Sequence, residues 1–255
     1  MRSLSLNTRR KLAAHLFVAA VLIIWLFAAL RLPGYVLPAP LTVLEQIGAF
    51  LVSAKLAGHI AASIFHVTAA LVLAFVVGTT LAVAGHYVPI TRVLIGRLAA
   101  FLNSFSSIGW ALLAILWFGL NDASVIFVIG IIILPIYMIN MQAALDQLDA
   151  DLIEMTASFT RSWPRAFSLV VLPALYPFML ATTRLAFGIA WKVALTAELF
   201  GGNSGFGFLV NIARQDIDTP RIFAVIALMI MIAYLADRFL FAPLERYLTR
   251  HYADA

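Results

Sequence analysis

Cysteine is absent from this sequence, and charge is scarce. The first absence excludes disulfides and thiol-ligated metal, and it leaves the redox compartment unread. The second says more: charged residues are 11% of the 255, against about 25% in a soluble domain. Hydrophobic residues make up 64%, and mean hydropathy is +1.01. No soluble fold hides that much apolar surface, so the solvent for most of the chain is lipid. A Gly-x-x-x-x-Gly-Lys-Ser/Thr segment, which cradles ATP phosphates, is also missing. The net charge of +5 is small and reflects membrane topology rather than nucleic-acid binding. One membrane domain is the natural count.

What is present is a series of apolar runs. Residues 1–11 form a polar tail with Arg2, Arg9, Arg10 and Lys11. Leu12 to Leu30 is apolar apart from His15, too long for a signal-peptide core of about 7–15 residues. Leu41 to Gly58 reads as an amphipathic interfacial helix, with Leu41, Leu44, Ile47 and Leu51 on one stripe. Further spans are expected at His59–Gly85, Leu98–Phe118, Val125–Met141, Pro173–Leu199 and Ile222–Phe241, giving six. The third is interrupted by Asn103 and by Ser104, Ser106 and Ser107, and the fourth contains Pro135.

The basic residues vote on orientation. With the N-terminus inside, eleven of the 17 fall in inside segments, four outside, and Arg184 and Lys192 within the fifth span. Both termini are then cytoplasmic, and so is the segment between the fourth and fifth spans.

That segment is the one long polar interruption, Asp151 to Pro173. Asp151 and Glu154 are spaced as a capping box, which starts a helix to about Phe159. Ser162 is suited to cap a second helix, with Pro164 in its first turn. Leu152, Met155, Phe159 and Trp163 recur at spacings of three and four and share a face. Such a helix either lies flat on the bilayer or docks a soluble subunit.

The segment resembles the cytoplasmic coupling motif of binding-protein-dependent ABC transporter permeases, Glu-Ala-Ala, three residues, Gly, nine residues, Ile, any residue, Leu-Pro. Glu154 holds the Glu position, Met155 and Thr156 the two Ala positions, and Thr160 the Gly position. Val170, Val171, Leu172 and Pro173 follow at the motif's spacing. Thr for Gly is a departure, because a β-branched residue adopts a left-handed turn poorly. The resemblance covers roughly His59 to Tyr247 and is closest to the nitrate/taurine/sulfonate subgroup. Trp110 to Gly119 is similar to that subgroup's third-helix signature, with Ser106, Ser107 and Leu112 where members carry proline, which predicts a straighter helix. Arg184, Trp191, Ala197-Glu198 and Gly205-Phe206-Gly207 match further blocks.

The resemblance implies an all-α polytopic protein with six transmembrane helices in the type I ABC importer permease fold. Residues 59–247 would be its core domain, with the coupling loop at 146–169. Residues 12–58 would add the first span and the interfacial helix, and 248–255 a second tail. It implies a non-catalytic chain in the bacterial inner membrane that binds no cofactor itself. Its partners would be a second, identical permease, two cytoplasmic ATPases holding ATP and Mg, and an extracytoplasmic substrate-binding protein. Asp151, Glu154, Met155, Thr156, Phe159, Thr160, Arg161, Leu172 and Pro173 would be the coupling residues.

Charges within a span are expensive and face a bundle interior or a wet cavity. Arg184, Lys192 and Glu198 therefore have two readings: ions bonded within the bundle, or a lining that passes an anion. Trp110 and Trp191 are candidates for the same pathway, while Trp117 reads as an interfacial anchor. His59 and His66, seven apart, could share a face, but no neighbouring Asp, Glu or Cys in the sequence completes a metal site. The run Gly201 to Gly207 follows no strand, so it reads as an outer turn near the pore mouth rather than a dinucleotide loop. Two other classes predict activity without an ATPase. A gradient-driven transporter would need repeats, broken helices and intramembrane carboxylates. An intramembrane enzyme would need a nucleophile and base at depth.

Overall fold

The computed structural model describes residues 6–148 and 172–246. Within them the chain is helical: α1 Leu6–Arg31, α2 Pro40–Val52, α3 Ala54–Tyr87, α4 Pro89–Ser104, α5 Ser107–Phe118, α6 Asp122–Asp146, α7 Leu172–Gly201, α8 Phe206–Gln215 and α9 Thr219–Ala236. A π-helical turn, Asp237–Phe241, extends α9 toward Arg246.

The core is built around α6. Its buried residues, among them Val125, Val128, Ile129, Ile133 and Tyr137, occur on every side, because α3, α4, α5 and α7 all pack on it. That explains why α6 shows no amphipathic stripe: a helix surrounded by helices is apolar all round. Lipid offers no hydrophobic drive between helices, so close packing of small residues does that work. Ala186, Ala190, Ala194 and Ala197 form such a stripe on α7, and Ala70 and Ala74 a shorter one on α3. Gly78 of α3 marks the tightest approach. A Cβ there would sit 2.6 Å from the Tyr137 Cβ. Elsewhere large apolar residues point outward, such as Phe17, Ile24 and Leu30 on α1 and Ile230 and Tyr234 on α9.

The expected spans are found with longer bounds, and two differ. The interfacial helix stops at Val52, where Ser53 turns extended, and α3 begins at Ala54 rather than His59. The third span is not straight: α4 and α5 meet at 96° across Phe105-Ser106. Both linking residues are extended, and Ser104 Oγ donates back to Ala100 O, as serines do where a helix ends. The Phe105 ring then folds against Trp110, with centroids 5.1 Å apart, over the bare face of Gly109. Among the described residues four helices are long and apolar enough to cross a membrane, and the bent pair makes a fifth if it counts as one span. The sixth expected crossing falls on α1, whose apolar part is the shorter His15–Arg31.

Two clusters mark opposite ends of the bundle. At one end Arg92 of α4 donates to Asp146 of α6 at 2.6 and 3.3 Å, with His86 of α3 at 3.6 Å. At the other, the beginnings of α3, α6 and α8 meet the end of α7.

Candidate functional site

The coupling residues Asp151, Glu154, Met155, Thr156, Phe159, Thr160 and Arg161 lie outside the described residues. Leu172 and Pro173 open α7, partly buried. The segment thus leaves from the Arg92–Asp146 end of the bundle and returns directly into the longest core-packed helix after α3.

The in-span charges separate into three different environments. Arg184 is committed to ion pairs. Its Nε and Nη2 donate to the two oxygens of Asp237 at 2.7 and 3.0 Å, and Nη1 donates to Glu245. That is the bundle-bonded alternative for this residue. Lys192 is exposed on α7. It shares the outward face with Ala181, Leu185 and Gly188, opposite the alanine stripe. Glu198, by contrast, is 1% exposed.

Trp110 and Trp191 are core residues in the single chain. Trp110 packs on Phe105 and Phe127, and Trp191 on Phe187 and Phe206. Trp117 is exposed at the end of α5. An apolar cleft of about 560 Å³ opens between α3, α6, α7 and the π turn, lined by Leu71, Phe75, Tyr137, Tyr176, Leu180 and Phe241 among others. Among the described residues no charged side chain lines it, and its polar groups are the hydroxyls of Tyr137, Tyr176 and Thr183.

Glu198 is the centre of a cluster that joins four helices. Its Oε2 accepts from Ser63 Oγ of α3 and from the Gly207 backbone N–H of α8, each at 2.9 Å. Its Oε1 lies 2.9 Å from His66 Nδ1. The other ring nitrogen of His66 is 3.2 Å from Asp122 Oδ1, without an aligned hydrogen bond. Ser63 and His66 are themselves fully buried. The first turn of α8 has no cap of its own, because its N-cap is Gly205. Its free N–H groups are met from other helices instead: Gly205 N–H donates to His59 Nδ1 at 3.2 Å, and Phe206 N–H to Ser63 Oγ at 2.9 Å.

The glycines explain themselves here. Gly205 has φ +101°, and a Cβ on it would overlap the Glu198 carboxyl at 2.3 Å. A Cβ on Gly207 would meet the Leu195 carbonyl at 2.3 Å. The loop can lie on the last turns of α7 only without side chains at these positions. Sequence reasoning had singled out Glu198, the glycine run and the histidines, but separately. The seven-residue spacing of His59 and His66 was the available signal that they face one partner.

Comparison with known proteins adds the following. Residues 74–248 match the family described as binding-protein-dependent transport system inner membrane component. The chain is 31% identical over 205 residues to the putative aliphatic sulfonates transport permease protein SsuC of Bacillus subtilis, covering 80% of this chain and 74% of that one. It is 28% identical over 231 residues to the taurine transport system permease protein TauC of Escherichia coli, covering 88% and 84%. It is 34% identical over 139 residues to the riboflavin transport system permease protein RibX of Chloroflexus aurantiacus, covering 54% and 51%.

Proposed function

The chain belongs to the family of binding-protein-dependent transport system inner membrane components, and from that premise we propose that it forms the translocation pathway of an ATP-driven importer for a small anionic solute, of the sulfonate or carboxylate type. The observation that supports an anion is Lys192. An ammonium group exposed within a membrane-spanning helix, with no ion pair among the described residues, belongs in a wet pathway rather than against lipid. Relatives bear the names of sulfonates and taurine, but also of riboflavin. Family membership alone therefore leaves the solute open, and the lysine narrows it.

Two copies of this chain would enclose the pathway, with Lys192 from each facing it. The broken α4–α5 helix and the buried Glu198 are features that a gradient-driven transporter also uses; family membership is what favours the ATP-driven reading. ATP and Mg would be held by two separate cytoplasmic ATPases, and the solute would be delivered by an external binding protein. The positive-inside count supports cytoplasmic termini and a bacterial inner membrane orientation with residues 146–169 inside.

In this reading Met155 and Phe159 fill a groove on the ATPase, while Glu154 and Arg161 orient the contact. The loop is framed by two rigid ends. Asp146 is clamped by Arg92, and Leu172-Pro173 begins α7. A rigid-body movement of the ATPase would then pass into α6 and α7 together. Copurification of the ATPase with the wild-type chain and with Glu154→Lys tests the reading. The expected result is retention by the former and loss by the latter with the membrane domain still folded. An ATPase that never associates with the wild type, or a variant that keeps it and transports normally, refutes it.

A further inference from the structure

We propose that Glu198 and His66 are positioning residues for translocation: they hold the glycine loop 201–207 and the first turn of α8 against α3, and Asp122 is an arm that engages or releases His66. This rests on the permease reading in one respect, that the loop lies at the mouth of the pathway.

Ser63 Oγ and the Gly207 N–H both donate to Glu198 Oε2, and the serine oxygen in turn accepts from the Phe206 N–H. In the arrangement proposed, His66 donates from Nδ1 to Glu198 Oε1 at 2.9 Å, and Glu198 accepts at all three contacts. What happens at Nε2 is the variable. With a proton there, His66 is an imidazolium joining Glu198 to Asp122 at 2.9 and 3.2 Å. Without it, a ring lone pair faces a carboxylate oxygen and the two repel. Asp122 can then leave: its side chain is 52% exposed and sits in the first turn of α6, where the helix N-terminus already stabilises an anion.

The consequence reaches the loop, because Ser204 Oγ lies 3.4 Å from the same Asp122 oxygen. Engagement of Asp122 ties the loop to α6, and release frees that edge while Glu198 keeps α8 pinned to α3. The other charged or titratable groups around the cluster do not take over this role. His59 on α3 uses Nδ1 to accept from Gly205 and is thereby neutral at that nitrogen. Arg221 on α9 acts on His59 through space and has its own contact with Asp216 at 3.9 Å. A buried pair that served packing alone would hold the loop alike at every pH and in every transport state.

The test uses the whole permease–ATPase complex in lipid nanodiscs. This chain lacks cysteine, so Asn203→Cys places one nitroxide on the exposed tip of the loop. In the otherwise unchanged chain the label is expected to be immobile at about pH 5.5. A mobile component several-fold larger should appear, reversibly, at about pH 8.5, spanning the imidazole range. Asp122→Asn should abolish that pH response. ATP with vanadate should shift the spectrum of the unchanged chain, and Glu198→Gln should lose that shift while still holding the ATPase. A spectrum indifferent to pH in the unchanged chain, a response that survives Asp122→Asn, or a vanadate shift preserved in Glu198→Gln overturns the proposal. Should Glu198→Gln fail to assemble, Asp122→Asn decides, since Asp122 is half exposed and outside the core. Failure of the permease reading is a different result: no ATPase copurifies with the unchanged chain at all.

Discussion

Arg184 Nε lies 2.7 Å from Asp237 Oδ1, and this bond joins the first half of α7 to the one π-helical turn among the described residues. The two facts belong together. A π turn widens a helix by one residue, and such turns occur where a side chain must be aimed. Here the turn spans Asp237–Phe241 and presents Asp237 to the guanidinium and Phe241 to Phe187, with ring centroids 5.0 Å apart. The guanidinium takes both oxygens of Asp237, the fork geometry that distinguishes arginine from lysine.

The pair should therefore behave as a unit. Arg184→Gln removes the cation that Asp237 faces in a spanning segment, and is expected to destabilise the chain by roughly 2 kcal/mol. The double variant Arg184→Gln with Asp237→Asn should lose clearly less than the sum of the two single changes, because each single change strands the other's charge. Thermal unfolding in detergent across the four proteins measures the coupling. Strict additivity would show that the bond contributes nothing. Arg184→Lys should recover only part of the stability, since an ammonium cannot hold both oxygens in one plane.

Gly78 permits the closest approach of α3 to α6. The atom a side chain would strike is the Tyr137 Cβ at 2.6 Å, with the Met138 backbone N at 3.3 Å behind it. Neither can swing away as the tip of a flexible side chain could. Gly78→Ala is thus expected to push the helices apart and cost about 1–3 kcal/mol. Gly130, on α6 with nothing within 4 Å of its would-be Cβ, is the matched control, and Gly130→Ala should be neutral or slightly stabilising. Equal unfolding temperatures for the two variants would show that this helix contact is not tight.

Much of the layout was legible because lipid imposes it. A run of apolar residues long enough to cross, bounded by polar loops, admits few interpretations, and the cores of α3, α6, α7 and α9 fall where those runs do. The bend between α4 and α5 was harder to read. Its serines looked like interruptions within one helix, and the absence of proline suggested a straight one. Yet Ser104 folding back on Ala100 and Ser106 starting a new helix end and begin helices without proline. The Glu198 cluster was not legible as a cluster. Ser63 and Glu198 are 135 residues apart, His66 and Glu198 132. Periodicity says which face a residue occupies and nothing about which distant face it meets. The same holds for Arg184, whose partners lie 53 and 61 residues on.

Lys192 and Arg184 are both cations on α7, eight residues apart, and a reading from sequence gives them one role. The structure gives them different partners, so the two should respond differently to substitution. Arg184 is bound to two carboxylates, and its local charge is already exceeded. Lys192 stands on the outward face without an ion pair among the described residues. Replacing Lys192 by Gln should leave stability within about 0.5 kcal/mol, as for an exposed side chain. Uptake of an anionic solute should nevertheless fall, by roughly tenfold for a lost charge contact of about 1.4 kcal/mol. Lys192→Glu should abolish uptake, because two copies would then line the pathway with negative charge, and Lys192→Arg should retain most of it. Uptake of taurine and of an alkanesulfonate into cells expressing the complete importer provides the measurement, with ATPase copurification as the control for assembly. If Lys192→Glu transports as well as the unchanged chain, the anion reading loses its one cation, and the solute must be sought among neutral or cationic compounds.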